Sequence, residues 1–188
     1  MGIGSKLVPR RKAVFLDRDG VLNRASVRGG KPYPPRSLQE VELLDGVQEA
    51  AGRLRAKGFL LVAVTNQPDV ARGTASVKGV EAINALLVDR LGLDLVKTCF
   101  HDDDDECACR KPKPGLLLDA SRQLDIDLGA SFMVGDRWKD IAAGEAAGCT
   151  TVFVDHGYAE RQPESPDYRC GSLLDWVNQL DEAGRRAR

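Results

Sequence analysis

At 188 residues the chain is long enough to bury a sizeable core and reads most simply as one domain over residues 1–188. Apolar and charged fractions of 43% and 29% are those of an ordinary globular protein, and no apolar run approaches the roughly 20 residues that span a bilayer. A formal net charge of −1 gives no electrostatic case for a nucleic-acid partner. The N-terminal stretch Met1 to Arg10 lacks the apolar core of a signal peptide, so the cytoplasm is the expected location. In that reducing compartment the five cysteines are expected as ligands or buried thiols, not disulfides.

The first predicted element is a buried strand, Ala13 to Leu16, that runs directly into Asp17-Arg18-Asp19-Gly20. A region without periodicity follows from Arg24 to Leu44, broken by Gly29-Gly30, Pro32, Pro34 and Pro35, and reads as a flap over the strand ends. Its Arg24, Arg28, Lys31 and Arg36 are either solvated charge or contacts for an anionic substrate. Val47, Ala50, Ala51 and Leu54 have helical spacing, and Lys57-Gly58 closes that helix. A second strand, Phe59 to Val64, ends in Thr65-Asn66-Gln67. A helix from Ser76 to Leu91 and a third strand from Leu93 to Thr98 lead to a cysteine cluster. Pro114-Gly115 opens a helix to Leu124. The strand Ser131 to Val134 ends in Gly135-Asp136-Arg137, and residues 138–147 form a helix stopped by Gly148. A fifth strand spans Thr150 to Val154, a closing helix spans Ser172 to Leu180, and a frayed basic tail follows. Strand and helix alternate throughout, which predicts an α/β, Rossmann-like three-layer sandwich with a central parallel sheet.

In such sheets ligands bind at the carboxyl ends of the strands. Asp-Gly alone reads more readily as a turn than as a site. Here, however, three strands end in groups fit for chemistry: Asp17 and Asp19, Thr65 and Asn66, and Asp136. Two carboxylates two residues apart suit cation binding by one and proton transfer by the other.

Cys99-x-His101 followed by Cys107-x-Cys109 supplies three thiolates and an imidazole, a set that zinc takes in closed tetrahedral sites. Four protein ligands leave no position for a catalytic water, so the zinc would be structural, fastening residues 99–109. The intervening Asp102 to Glu106 reads as an exposed, self-repelling turn. Such a clip would fix the backbone just before Arg110-Lys111-Pro112-Lys113, where preorganised cations suit a phosphate. His156, Cys149 and Cys170 read as structural.

Together these motifs resemble the haloacid dehalogenase (HAD) superfamily of aspartate-nucleophile phosphatases: Asp17-Arg18-Asp19-Gly20, Thr65-Asn66, the lysine of Arg110-Lys111, and Gly135-Asp136 with Asp140. The resemblance covers Lys12 to about Gly157. It implies that Asp17 is the nucleophile and Asp19 the proton carrier. It implies Mg²⁺ held by Asp17, the backbone carbonyl of Asp19, and Asp136, and phosphoryl oxygens bound by Thr65 and Lys111. Asp140 would orient the metal shell or the lysine, or be an exposed helix acid. Lys111 and Lys113 both suit the lysine's place by spacing; members with the same clip carry it directly after Arg, which favours Lys111. Within the superfamily, Cys-x-His…Cys-x-Cys-Arg-Lys-Pro-x-Pro-Gly with Ala71-Arg72-Gly73 is similar to the D-glycero-D-manno-heptose-1,7-bisphosphate phosphatases. That implies a small phosphosugar substrate, loops in place of a large cap, and substrate contacts from Asn66, Arg110, Arg137 and Arg28. Two features depart from that pattern. Ala25-Ser26-Val27-Arg28 replaces the usual segment after the first motif. The gap from His101 to Cys107 and Gly135-Asp136-Arg137 resemble the histidinol-phosphate phosphatases. A zinc-stabilised binding protein on a dead phosphatase fold is the non-enzymatic alternative, opposed by the competent residue at every chemical position. A monomer suffices.

Overall fold

The computed structural model describes residues 10–186; most of the N-terminal stretch read above for a leader lies outside them. The first strand, β1 (Ala13–Leu16), is buried on both faces and occupies an inner position of a six-stranded sheet. Its flanks are β4 (Leu60–Asn66) and β6 (Phe132–Gly135), and the remaining strands are β5 (Leu95–Cys99), β7 (Thr150–Val154) and β8 (Tyr168–Cys170). The order is β5-β4-β1-β6-β7-β8, with every pairing parallel. Parallel neighbours require crossovers, and α1 (Val47–Ala56), α2 (Val77–Leu91), α3 (Gly115–Leu124), α4 (Trp138–Ala147) and α5 (Leu173–Arg186) supply them or close the fold.

Side chains alternate across β1, so one sequence feeds two cores. Val14 and Leu16 pack with Leu54, Ile83, Leu87 and Trp176, the inward residues of α1, α2 and α5. Ala13 and Phe15 pack with Leu116, Leu117, Ala120 and Ala143 of α3 and α4. This is the three-layer α/β sandwich the alternation predicted, and among the described residues no large cap module lies over the strand ends. The chain extends the sheet from β1 through β4 to β5, then returns to the other side of β1 to lay down β6. The order therefore reverses beside β1, and the carboxyl ends of β1 and β6 flank the crevice where such sheets bind ligands.

Three expectations need correction. The flap from Arg24 to Leu44 is not without secondary structure: β2 (Ser26–Arg28) and β3 (Lys31–Tyr33) pair as an antiparallel hairpin. Gly29 and Gly30 form its two-residue turn with φ of 57° and 74°, a conformation that glycine adopts without a Cβ clash. The sheet also gains β8, which is a sixth strand where five were expected. Helix α5 continues past Leu180 to Arg186, through the segment read as a frayed tail.

Candidate active site

The end of β1 places Asp17 between the ends of β4 and β6, with its N–H bonded to the Val134 carbonyl at 2.9 Å. Lys111 enters this buried space from the segment before α3. Its Nζ donates to Asp17 Oδ1 at 2.7 Å and to the Val64 carbonyl at 2.7 Å, and lies 2.6 Å from Asp140 Oδ1. Burial opposes charge on this ammonium, but Asp140 and Asp17 outweigh it and hold its pKa above the ordinary value. Lys113 points elsewhere, to the carbonyls of Glu106 and Cys107 at 3.1 and 2.8 Å.

Asn66, at the end of β4, was expected to touch substrate. Its amide instead grips the backbone of Lys111 in both directions: Oδ1 accepts the Lys111 N–H at 3.1 Å and Nδ2 donates to the Lys111 carbonyl at 3.0 Å. Asp140, in the first turn of α4, is 2% exposed and accepts the Arg137 N–H at 3.0 Å as well as facing Lys111. It is a buried partner of the lysine, not an exposed helix acid.

Asp136 follows β6 and is 1% exposed, and neither of its carboxylate oxygens makes a well-formed hydrogen bond, although the Tyr158 hydroxyl faces it and partly offsets its burial. Burial, with Asp17 and Asp140 nearby, pushes its pKa well above the usual carboxylate range. A Cβ at Gly20 would stand 1.8 Å from Asp136 Oδ2, so glycine there leaves the acid its room. Carboxylate oxygens of Asp17, Asp136 and Asp140 lie within 4.8 Å of one another. Burial, partly offset by Lys111, raises Asp17 itself to about 6. Three acids this close in a buried site are costly with one ammonium among them, and their hard oxygens suit a divalent cation such as Mg²⁺.

Asp19 has a contrasting environment. Its Oδ1 accepts from Asn23 Nδ2 at 2.9 Å, and its Oδ2 accepts from Gln67 Nε2 at 2.7 Å and Arg18 Nη2 at 2.9 Å. Gln67 Nε2 also donates to Thr65 Oγ1 at 2.8 Å, tying the ends of β1 and β4 together. Asp17, Asp19, Thr65, Asn66, Lys111 and Asp140 all border one cleft of about 350 Å³.

The cleft mouth carries Lys31, Arg72, Arg110, Arg137 and Lys139 beside Asp69 and Asp103, and most of these cations are ion-paired. Arg110 is held by Asp103 Oδ1 at 2.9 Å and the His101 carbonyl at 3.2 Å. Arg137 makes a two-point pair with Glu160 at 2.8 and 2.6 Å, which holds its pKa above the ordinary value. Arg28 is a correction: it is exposed on β2, 5.8 Å from the Tyr33 ring, and outside the cleft wall. Lys31, its register partner on β3, borders the cleft with Pro32 and Tyr33 instead.

Cys99, His101, Cys107 and Cys109 form a compact tetrad beside the cleft. The sulfur–sulfur distances are 3.1, 3.4 and 3.7 Å, and His101 Nδ1 lies 3.3 Å from Cys109 and 3.5 Å from Cys99. Edges of a zinc tetrahedron with thiolate ligands are ~3.8 Å, so the four donors need only small outward shifts to take an ion. Burial, with Cys109 beside it, pushes the Cys99 thiol up to about 12, so a metal would be needed to hold it as thiolate.

Comparison with known proteins places this geometry. A HAD-hydrolase-like family model matches residues 108–177. The D-glycero-beta-D-manno-heptose-1,7-bisphosphate 7-phosphatase of Pasteurella multocida (strain Pm70) is 41% identical over 179 residues, 88% of this chain and 94% of that one. The chain belongs to the heptose-bisphosphate phosphatase family of HAD hydrolases. A second member, from Escherichia coli (strain K12), is 38% identical over 92% of this chain and 90% of its own. The crystal structure of the D,D-heptose 1,7-bisphosphate phosphatase from B. bronchiseptica, complexed with magnesium and phosphate, superposes with a TM-score of 0.79. It is 33% identical and covers 92% of this chain and 99% of that one. The protein is accordingly a phosphoric monoester hydrolase.

Several residues that shape the site of this phosphatase were not singled out from the sequence. Gln67 and Asn23 support Asp19, Glu160 holds Arg137, and Lys139 approaches Asp103 at 3.3 Å. Polar residues adjoining the motifs were the only signal for Gln67 and Asn23. Glu160 lies in a segment with no pattern to mark it. Arg18, set in an otherwise buried run, had a readable signal: a long cation there must find a carboxylate.

Proposed function

We propose that this phosphatase removes the 7-phosphate of D-glycero-D-manno-heptose 1,7-bisphosphate through an aspartyl-phosphate formed on Asp17. The observation that carries the reading is the buried grouping of Asp17, Lys111 and Asp140 at the floor of the cleft, with Asp136 alongside. Named relatives along nearly the whole chain support the substrate. The β anomer, in those relatives' names, is the form preferred here.

Asp17 Oδ attacks phosphorus as the bond from phosphorus to the sugar oxygen breaks, and Asp19 delivers a proton to that departing oxygen. Asp19, now ionised, takes a proton from the water that cleaves the aspartyl-phosphate, which returns both acids to their starting states and releases phosphate. Lys111 and the Thr65 hydroxyl donate to phosphoryl oxygens, where charge redistributes in the transition state. Asn66 fixes the lysine's backbone, and Asp140 keeps its ammonium charged. Asp17, Asp136 and the backbone carbonyl of Asp19 hold Mg²⁺, which when bound offsets the repulsion between carboxylates and phosphate. The buried oxygens of Asp136 fit that role. Arg110, Arg137, Lys31 and Lys139 give the cleft mouth the charge that a second phosphate needs. A structural zinc on Cys99, His101, Cys107 and Cys109 keeps Arg110 and Lys111 in place. The same reading makes residues 1–188 one domain and the enzyme a cytoplasmic monomer; among the described residues no helix is long and apolar enough to cross a membrane.

The test is phosphate release with Mg²⁺ from both anomers of heptose 1,7-bisphosphate, histidinol phosphate and fructose 1,6-bisphosphate. The β-heptose bisphosphate is expected to have the highest kcat/KM, and Asp17→Asn to abolish its hydrolysis. Preference for histidinol phosphate would overturn the substrate, and an active Asp17→Asn would overturn the covalent route.

A further inference from the structure

Arg18 stands between the two acids of the opening motif and is fully buried, at 0% exposure. A buried guanidinium is retained only where its donors are met. Here Nε lies 3.1 Å from both oxygens of Asp19, and Nη2 donates to Oδ2 at 2.9 Å. On the far side Nη1 donates to Asn84 Oδ1 at 3.1 Å, and Asn84 Nδ2 donates in turn to Thr98 Oγ1 at 3.1 Å. Asn84 lies on the buried face of α2, and Thr98 is in β5, two strands from Asp19. A polar chain therefore runs Thr98–Asn84–Arg18–Asp19 through a layer that is otherwise apolar. Its amide can be read in one orientation only: Oδ1 accepts from arginine and Nδ2 donates to threonine.

We propose that Arg18, braced by Asn84 and Thr98, is the positioning residue that aims the Asp19 carboxyl at the departing oxygen of the substrate. The forked guanidinium fixes the plane of a carboxyl that would otherwise rotate about two side-chain bonds. Arg18 itself is too buried to touch substrate. This inference rests on the reading of Asp19 as proton carrier. In the first half-reaction the phosphorus–oxygen bond to the sugar breaks as the bond to Asp17 forms, and the sugar oxygen leaves with the proton from Asp19. A nitrophenolate leaves as a stable anion and needs no such proton. Misaiming Asp19 therefore penalises the sugar phosphate selectively.

The experiment compares kcat/KM for heptose 1,7-bisphosphate and p-nitrophenyl phosphate, since kcat/KM reports steps through departure of the leaving group. Asp19→Asn serves as reference and is expected to lose about 10² or more on the sugar phosphate beyond its loss on the aryl ester. Arg18→Met is expected to show the same selectivity, at least tenfold, and Arg18→Lys an intermediate value. If thermal unfolding shows that Arg18→Met is not folded, Asn84→Leu, of similar volume, carries the test with an expected selective loss of about threefold. Equal losses on both substrates in a folded Arg18 variant, or in Asn84→Leu, would assign these residues a purely structural role and overturn the inference. Absence of selectivity in Asp19→Asn itself would instead show that the reading of Asp19 had failed.

Discussion

The ammonium of Lys111 donates to the carboxylate of Asp17 at 2.7 Å and to the Val64 carbonyl of β4 at 2.7 Å, and both charged groups are buried. The cation therefore lies against the very group that must attack phosphorus, with Asp140 at 2.6 Å sharing it. Removing it leaves two buried carboxylates facing each other. Lys111→Met is expected to lower kcat by about 10²–10³ and to cost about 3–5 kcal/mol of stability. Lys113→Met, whose ammonium caps two carbonyls at the surface, is expected to keep kcat within about threefold. Steady-state kinetics and urea unfolding of the two variants side by side check this. A greater loss of kcat in the Lys113 variant would move the phosphate lysine.

Asp17 and Asp136 make the metal-free protein sensitive to pH. Both have folded-state pKa values above the ordinary 3.8, with Asp17 near 6. Their contribution to stability is fully present below about pH 4, where the groups are protonated folded or unfolded, and is lost as pH rises through the folded values. Metal-free protein is expected to lose the Asp17 part of this stability as pH rises from about 4 through about 6, and the Asp136 part as pH rises through its own raised value. Mg²⁺ is expected to raise Tm more at pH 7.5 than at pH 5. In Asp136→Asn the metal-free protein should lose the Asp136 part of this pH dependence, while the response to Mg²⁺ and the activity disappear. Thermal unfolding with and without Mg²⁺ at the two pH values measures all of these. An unchanged Mg²⁺ response in the variant would rule Asp136 out as a ligand.

The cysteine–histidine tetrad should hold about one zinc ion per chain. Cys107→Ser is expected to lose that ion, to unfold at lower temperature, and to lose kcat together with it, since Cys109 directly precedes Arg110 and Lys111. Metal analysis of protein purified without chelators, followed by kinetics before and after zinc removal and re-addition, checks the coupling. Active, zinc-free protein with an unaltered Tm would reject it.

Arg110 reaches the cleft while anchored to Asp103, whose carboxyl it lowers to about 2. Arg110→Met is expected to raise KM for a sugar bisphosphate about tenfold or more and KM for p-nitrophenyl phosphate by less than threefold, with kcat little changed. Equal effects on both substrates would place Arg110 with the transferred phosphate and not with the second one.

The sequence was most readable where one physical signal dominates. Apolar runs such as Ala13–Leu16 cannot be anything but buried, and their termination in Asp17, Thr65 or Asp136 showed where the sheet opens. β8 has three residues, Tyr168–Cys170, too few for periodicity to register. The hairpin strands β2 and β3 lie largely at the surface, so no apolar alternation marks them. Side-chain roles were harder to read than positions. Asn66 stood beside Thr65 as a substrate contact, but an amide binds a backbone as well as a sugar, and only geometry shows that it holds Lys111. Arg28 was named as a substrate contact and Lys31 was not, yet of this directly opposed pair in the hairpin only Lys31 borders the cleft.

The grip of Asn66 on Lys111, together with the tetrad that ends at Cys109, bounds the acidic turn Asp102–Glu106 on both sides. What happens within that turn need not disturb the chemistry beyond it. It can grow, shrink or change its charges while the lysine keeps its station, much as an interchangeable bit fits a fixed chuck. Its Asp103 already contacts Arg110 and Lys139 at the cleft mouth. The segment best insulated from the reaction is thus one that borders the cleft mouth through Asp103.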